Sequence, residues 1–152
     1  SVDFDIVVLG TSKRGYGLKQ EIHIWITASN YQNATLMILL AYIIMGHVEW
    51  KAAQIKIFAV YPEETIEEER NRLFKLIQAG QLPISANNIE FIVRTQDTDS
   101  YQIIAEKSRD ADLTIVGFRT ETVDRKGKVI FEGYENIGNM LFVNTASHKE
   151  IK

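Results

Sequence analysis

Apolar and polar positions along this chain fall into two alternating rhythms. Short runs rich in Ile, Val and Phe occur at Phe4–Leu9, Glu21–Thr27, Gln54–Val60, Ile89–Arg94, Leu113–Phe118 and Met140–Asn144. Runs of this length and composition predict strands. Three helical patterns lie between the second and fifth of them. The segment Ser108–Phe118, SRDADLTIVGF, is the clearest single stretch. It reads as a helix end, a tight turn and a strand apolar on nearly every residue, with Leu113, Ile115 and Phe118 on one side and Val116 on the other. A strand apolar on both sides belongs in a parallel sheet covered by helices on both faces. Strands alternating with helices, without close hairpin signals, predict βαβ units. The expected fold is α/β: a mainly parallel open sheet of five or six strands with helices on both faces.

The helical patterns differ in kind. The first, about Asn33 to Glu49, contains the apolar run Leu36–Met45 and has no polar face. A helix apolar all round is expected to be buried all round. One side packs on the sheet, and the other calls for a partner. Leu36, Leu39, Leu40, Ile43 and Ile44 are therefore the candidate interaction surface. The second helix is expected to open at Pro62-Glu63-Glu64, to bury Ile66, Leu73, Phe74 and Ile77, and to end at Gly80. Glu67, Glu68, Glu69, Arg70 and Arg72 form its solvated face. The third, about Ser100 to Arg109, is expected to be capped by Asp97 or Thr98 and to bury Tyr101, Ile104 and Ala105.

Composition narrows the chemistry. The 152 residues suit one domain with a proper core, and the net charge of -3 gives no electrostatic footprint for nucleic acid. Absence of cysteine excludes disulfides, thiolate metal ligands and thiol catalysis. The longest apolar run is half the roughly 20 residues that a membrane helix requires. The chain opens on Ser1 without a signal-peptide pattern, so a piece of a longer protein is the expectation.

Candidate chemistry is sparse. Gly10 to Gly15 follows a strand, but Tyr16 and Gly17 stand where a phosphate loop needs Lys and Ser or Thr. The Gly10–Gln20 segment therefore reads as a linker. His23, His47 and His148 show no metal-ligand spacing with carboxylates or with each other, so no metal site is expected. No Ser stands in a nucleophile elbow, no catalytic residue is assigned, and a stress-type hydrolase ranks last among the readings. Asp97 and Asp99 read as helix caps, and Asp110 and Asp112 as turn formers at the amino end of their strand. Ligands of open α/β sheets bind at the opposite, carboxyl ends. The candidate nucleotide-binding residues are thus Gly117, Arg119, Arg125, Lys126, Gly127 and Lys128, with Gly133 as a further backbone donor. The competing reading is a solvated loop, since Glu121 and Asp124 sit among the bases.

Two segments together carry a resemblance. Glu21–Met45, EIHIWITASNYQNATLMILLAYIIM, joins a Trp-bearing strand through a polar turn to the apolar helix. SRDADLTIVGF is followed at a distance by YENIGNMLFVNTAS, Tyr134–Ser147. In this order they resemble the later half of the C-terminal cytosolic domain of cation–chloride cotransporters, of the amino acid–polyamine–organocation superfamily. The resemblance implies a universal-stress-protein-like α/β half on the cytoplasmic side of the membrane, with a regulatory role and no catalysis. It implies as partners the protein's own transmembrane transporter domain, a preceding cytosolic half and a second copy in a homodimer. It divides the chain into a joining strand and linker at 1–20, an α/β domain at 21–147 and a tail at 148–152. The turn Ala28-Ser29-Asn30-Tyr31 lacks the family's paired glycines. The short Gly80–Tyr101 stretch lacks the long phosphorylatable insertion of eukaryotic members, so the pattern looks prokaryotic. The Gly-x-x-Gly loop of ATP-binding stress proteins fails at Gly117-Phe118-Arg119-Thr120, and Gly138 is followed by Asn139. No cofactor is therefore expected, with ATP or another nucleotide as the alternative.

Overall fold

The structure is a computed structural model that describes residues 6–10, 19–27, 33–80, 84–118 and 138–144. Its strands are β1 (Ile6–Gly10), β2 (Glu21–Thr27), β3 (Gln54–Pro62), β4 (Ile89–Arg94), β5 (Leu113–Gly117) and β6 (Asn139–Asn144). Its helices are α1 (Ala34–Met45), α2 (Ile66–Ala79) and α3 (Ser100–Lys107). The strands form one sheet in the order β1-β6-β5-β2-β3-β4. Five strands run parallel, and β1 pairs antiparallel with β6 from Ile6↔Asn144 to Gly10↔Met140. The chain thus passes from the edge at β1 to the centre at β2, skipping two positions that β5 and β6 later fill.

Strand alternation divides the core into two layers. On the first face Ile22, Ile24 and Ile26 of β2 join Ile55, Ile57, Ala59 and Tyr61 of β3, Leu113 and Ile115 of β5, and Val143 of β6. Helices α1 and α2 cover this face through Ala34, Met37, Ile38 and Ala41, and through Ile66, Leu73 and Ile77. On the second face Trp25, Phe58, Val60, Val116, Met140 and Phe142 pack with Ile104 of α3. Helices therefore lie on both faces, as the doubly apolar β5 requires.

Several local expectations are corrected. Phe118 packs with Val116 on the second face instead of joining Leu113 and Ile115, because the two-residue alternation of a strand puts 116 and 118 on one side and 113 and 115 on the other. Pro62 closes β3, where its fixed φ suits an extended strand end, and α2 begins at Ile66. The cap of α3 is Asp99, whose Oδ1 accepts from the amides of Tyr101 and Gln102 at 3.0 and 3.4 Å. Tyr101 points outward, so Ile104 is the fully buried residue of α3. Helix α1 stops at Met45, where the Gly46 amide bonds the Tyr42 and Ile43 carbonyls, and His47–Trp50 makes a separate short turn. The helix is also not covered all round: Leu39 is 49% and Ile43 62% exposed.

Asp112 serves as a turn former in a particular way. Its Oδ2 accepts from the amides of Gln20 at 2.7 Å and Glu21 at 3.0 Å. The start of β2 is thereby tied to the start of β5, and the register Ile22↔Leu113 follows.

Candidate functional site

Three places merit a functional reading. The first is the sheet centre, where β2 and β5 are neighbours and the strand order reverses. The carboxyl ends of such strands form the usual ligand crevice of an open α/β sheet. Gly117 stands there at the end of β5, half-buried and in register with Val143. The other nucleotide candidates, Arg119, Arg125, Lys126, Gly127 and Lys128, lie outside the described residues, as does Gly133.

Side-chain amides occupy this crevice. Asn33, fully buried at the head of α1, directs its Nδ2 at the Val143 carbonyl at 3.3 Å and the Phe118 carbonyl at 3.4 Å. The Asn144 Nδ2 donates to the same Phe118 oxygen at 2.8 Å. The Phe118 amide donates to the Val143 carbonyl at 2.9 Å. A phosphate cradle needs backbone N–H groups aimed at an anion. Here the Phe118 N–H is engaged within the protein, and two asparagines knit the strand ends together. That arrangement ties the ends of β5 and β6 to the head of α1.

The second place is the outer stripe of α1. Leu36, Leu39, Leu40 and Ile43 recur at helical spacing, so they share one face. Leu39 and Ile43 are exposed, while Leu36, Leu40 and Ile44 are half-buried against the core rim. Val48 extends the apolar surface beyond the helix end. All five candidate interaction residues thus belong to one exposed or half-exposed surface.

The third place was not legible as a cluster. His23 on β2 is buried, only 4% exposed, and its Nε2 lies 3.0 Å from Glu21 Oε1. Its Nδ1 lies 2.8 Å from Ser108 Oγ, which also accepts from Trp25 Nε1 at 2.9 Å. Because the Glu21 carboxylate only accepts, it draws the ring proton of the neutral imidazole to Nε2, which leaves Nδ1 to accept from the Ser108 hydroxyl. Phe58 closes the group, stacked on Trp25 at 4.4 Å and edge-on to His23 at 5.3 Å. Burial holds the His23 pKa below its ordinary value, opposed by the hydrogen bond and charge of Glu21.

Glu21, His23 and Ser108 superficially form a hydrolase triad. Ser108, however, is fully buried and its oxygen is held by an indole, so no substrate reaches it. Separation by two residues on a strand puts Glu21 and His23 on one face, a carboxylate–histidine pair that helical or loop metal spacings do not reveal. His47 also meets a carboxylate, Glu49, at 3.7 Å on the surface. Among the described residues, no group of three or more His, Asp or Glu is placed to hold a metal ion.

Solved structures share this architecture. The fold is universal-stress-protein-like. One similar structure is a putative universal stress protein from Pseudomonas aeruginosa UCBPP-PA14, with a TM-score of 0.61 and 20% identity over 90% of this chain and 51% of that one. Another is the cytoplasmic domain of a prokaryotic cation chloride cotransporter, with a TM-score of 0.59 and 16% identity over 93% of this chain and 52% of that one. A functionally unknown protein from Pseudomonas aeruginosa PAO1 has a TM-score of 0.63 and 19% identity over 93% and 53%. The chain spans about half the length of these structures. No family profile and no curated protein matches its sequence. Among the described residues no helix is long and apolar enough to cross a membrane.

Proposed function

We propose that this chain is a non-catalytic regulatory and self-association domain of a membrane transporter of the cation–chloride cotransporter kind, acting on the cytoplasmic side. The observation that carries the reading is the outer face of α1. An apolar stripe of this extent on a small α/β domain is an interaction surface by its physical chemistry. The fold it shares with a cotransporter's cytoplasmic domain supports the setting. In this reading the stripe joins two copies, while the preceding cytosolic half and the transmembrane transporter domain are the chain's other partners.

Sedimentation of the chain over a range of concentrations tests the self-association. The expected result is a shift from the 17.4 kDa monomer to twice that mass. The double substitution Leu39→Glu with Ile43→Lys abolishes the shift and leaves stability within about 1 kcal/mol, because both side chains are exposed. A monomer at every concentration, or a dimer indifferent to both charges, overturns the assignment to α1. The second reading, a nucleotide at the β2–β5 crevice, has Gly117 in its favour and the Asn33 and Asn144 contacts against it. Calorimetry with ATP, ADP and AMP decides it.

A further inference from the structure

The strand order opens a second crevice, away from the sheet centre. Strands β3 and β4 are neighbours and end side by side, at Pro62↔Arg94. The chain after β3 turns onto the first face as α2, whereas the chain after β4 crosses to the second face as α3. Two adjacent strands whose onward connections part to opposite faces leave a gap at their carboxyl ends. A cleft of about 470 Å³ lies there, within the roughly 300–1,000 Å³ of small-molecule sites.

Its walls carry opposite charges. Glu63 and Glu64 line it from the segment after β3, Arg94 lines it from the end of β4, and Val93 adds an exposed apolar side chain. Among the described residues none of these three charged groups forms an ion pair. Both walls are closed turns. On the acidic side the Thr65 amide and hydroxyl donate to the Pro62 carbonyl at 3.1 and 3.4 Å. On the basic side Thr98 Oγ1 accepts from the Thr95 amide at 2.9 Å and lies 3.2 Å from its hydroxyl, and the Thr98 amide returns to the Thr95 carbonyl at 3.2 Å. Glu63 and Glu64 thus lie within one hydrogen-bonded turn, and Arg94 ends β4 directly before the other, so the backbone that carries the charges is ordered before any ligand arrives.

From this juxtaposition we infer that the β3–β4 cleft is a binding site for a free α-amino acid with an aliphatic side chain. Arg94 presents a planar fork that matches a carboxylate in two parallel hydrogen bonds. Glu63 and Glu64 supply acceptors for an α-ammonium, and Val93 meets the side chain. A dicarboxylate meets the two glutamates at one end, and a diamine meets the arginine. Only a molecule carrying both signs satisfies both walls. The inference goes beyond the regulatory reading and requires neither self-association nor a transporter, so the two fail independently.

The test is a titration of the isotope-labelled chain, followed amide by amide by NMR, with L-leucine as the probe. Isocaproate and isoamylamine, which are leucine without its ammonium and without its carboxylate, serve as half-ligands. L-leucine is expected to give saturable shifts confined to the amides of Glu63–Thr65 and Val93–Thr98. Each half-ligand binds at least about tenfold more weakly. Arg94→Gln, and separately Glu63→Gln with Glu64→Gln, weaken leucine by about tenfold or more while other amides keep their positions. Arg94→Lys retains part of the affinity. All these side chains are exposed, so the unchanged remainder of the spectrum reports an intact fold. Absence of saturable shifts with leucine overturns the inference. So does isocaproate binding as well as leucine, which marks a simple anion site, and so does full affinity in Arg94→Gln.

Discussion

Ser108→Ala removes a single oxygen and strands two buried groups. The Trp25 indole N–H loses its 2.9 Å acceptor, and His23 Nδ1 loses its 2.8 Å donor. Ser108 is fully buried and Trp25 and His23 nearly so, which gives water little access to replace the hydroxyl. Each orphaned buried polar group costs about 1–3 kcal/mol. Together the expected loss is about 2–6 kcal/mol, a large part of the roughly 5–15 kcal/mol that holds a domain folded. Urea unfolding followed by circular dichroism measures it, with the slope unchanged and the midpoint lowered. A cycle with Trp25→Phe isolates the indole bond. In the native background that change costs a hydrogen bond and some volume. In the Ser108→Ala background it costs volume alone, so the two substitutions together cost about 1 kcal/mol less than their sum. A loss below about 0.5 kcal/mol for Ser108→Ala, or strict additivity, refutes this chain of hydrogen bonds.

Other consequences follow from the same contacts. His23 has a folded pKa below its ordinary 6.5, so the unfolded chain takes up the proton first. Its stabilising contribution is complete above about pH 6.5 and is lost as the pH falls toward the depressed folded value. Glu21, Lys56 and Asp112 are the charges felt by the ring, and His23→Gln in unfolding titrations from about pH 7.5 downward should remove the slope nearest 6.5 while leaving the later carboxylate-driven loss. Thr114 Oγ1 is buried without a hydrogen-bond partner among the described residues, so Thr114→Val should raise the unfolding free energy by about 1 kcal/mol; a decrease in the urea midpoint contradicts this. Asp112→Ala frees the amides of Gln20 and Glu21, where partial exposure limits the loss to about 1–2 kcal/mol, and hydrogen exchange should quicken at the start of β2. Asn33→Ala removes the amide that bridges Val143 and Phe118, costs about 1–3 kcal/mol by thermal unfolding, and fails to confer ATP binding in calorimetry, since the Phe118 amide stays bonded to Val143.

What the sequence revealed, and what it hid, divides along the range of the interactions. The strands β2 and β4 were legible to the residue, because their alternation and flanking turns are local signals. The layering followed from the doubly apolar β5. The antiparallel pairing of β1 was not legible, because a short apolar run carries no direction, and the pairing partner β6 lies at the other end of the chain. Helix α1 illustrates a different limit. Its ten consecutive apolar residues require burial in aggregate, yet composition alone does not say which side a single chain covers. The expected opening of α2 at Pro62 failed because Pro suits a strand end as well as a first helical turn. The His23 group was missed since Ser108 lies 85 residues away. Its one local clue was the alternation Glu21, His23 and Trp25, three polar-handled side chains on a single face of a core strand.

The two crevices of this sheet differ in a way that bears on where ligand chemistry resides. Both arise from topology: at β2–β5 the strand order reverses, and at β3–β4 the onward helices part. At the first, Asn33 and Asn144 spend their donors on the strand-end carbonyls, and the Phe118 amide is spent on Val143. Hydrogen bonds of this kind lock neighbouring strands, and a ligand that displaced them would have to replace each one or leave a buried carbonyl unpaired at about 1–3 kcal/mol. At the second, the turns bond their own backbone groups through Thr65, Thr95 and Thr98, and among the described residues the charged side chains of Glu63, Glu64 and Arg94 form no ion pair. A ligand placed there would meet exposed side chains that hold no ion pair among the described residues. Among the described residues the same fold therefore spends polar side chains on strand-end carbonyls at one carboxyl-end crevice and leaves charged side chains without ion pairs at the other.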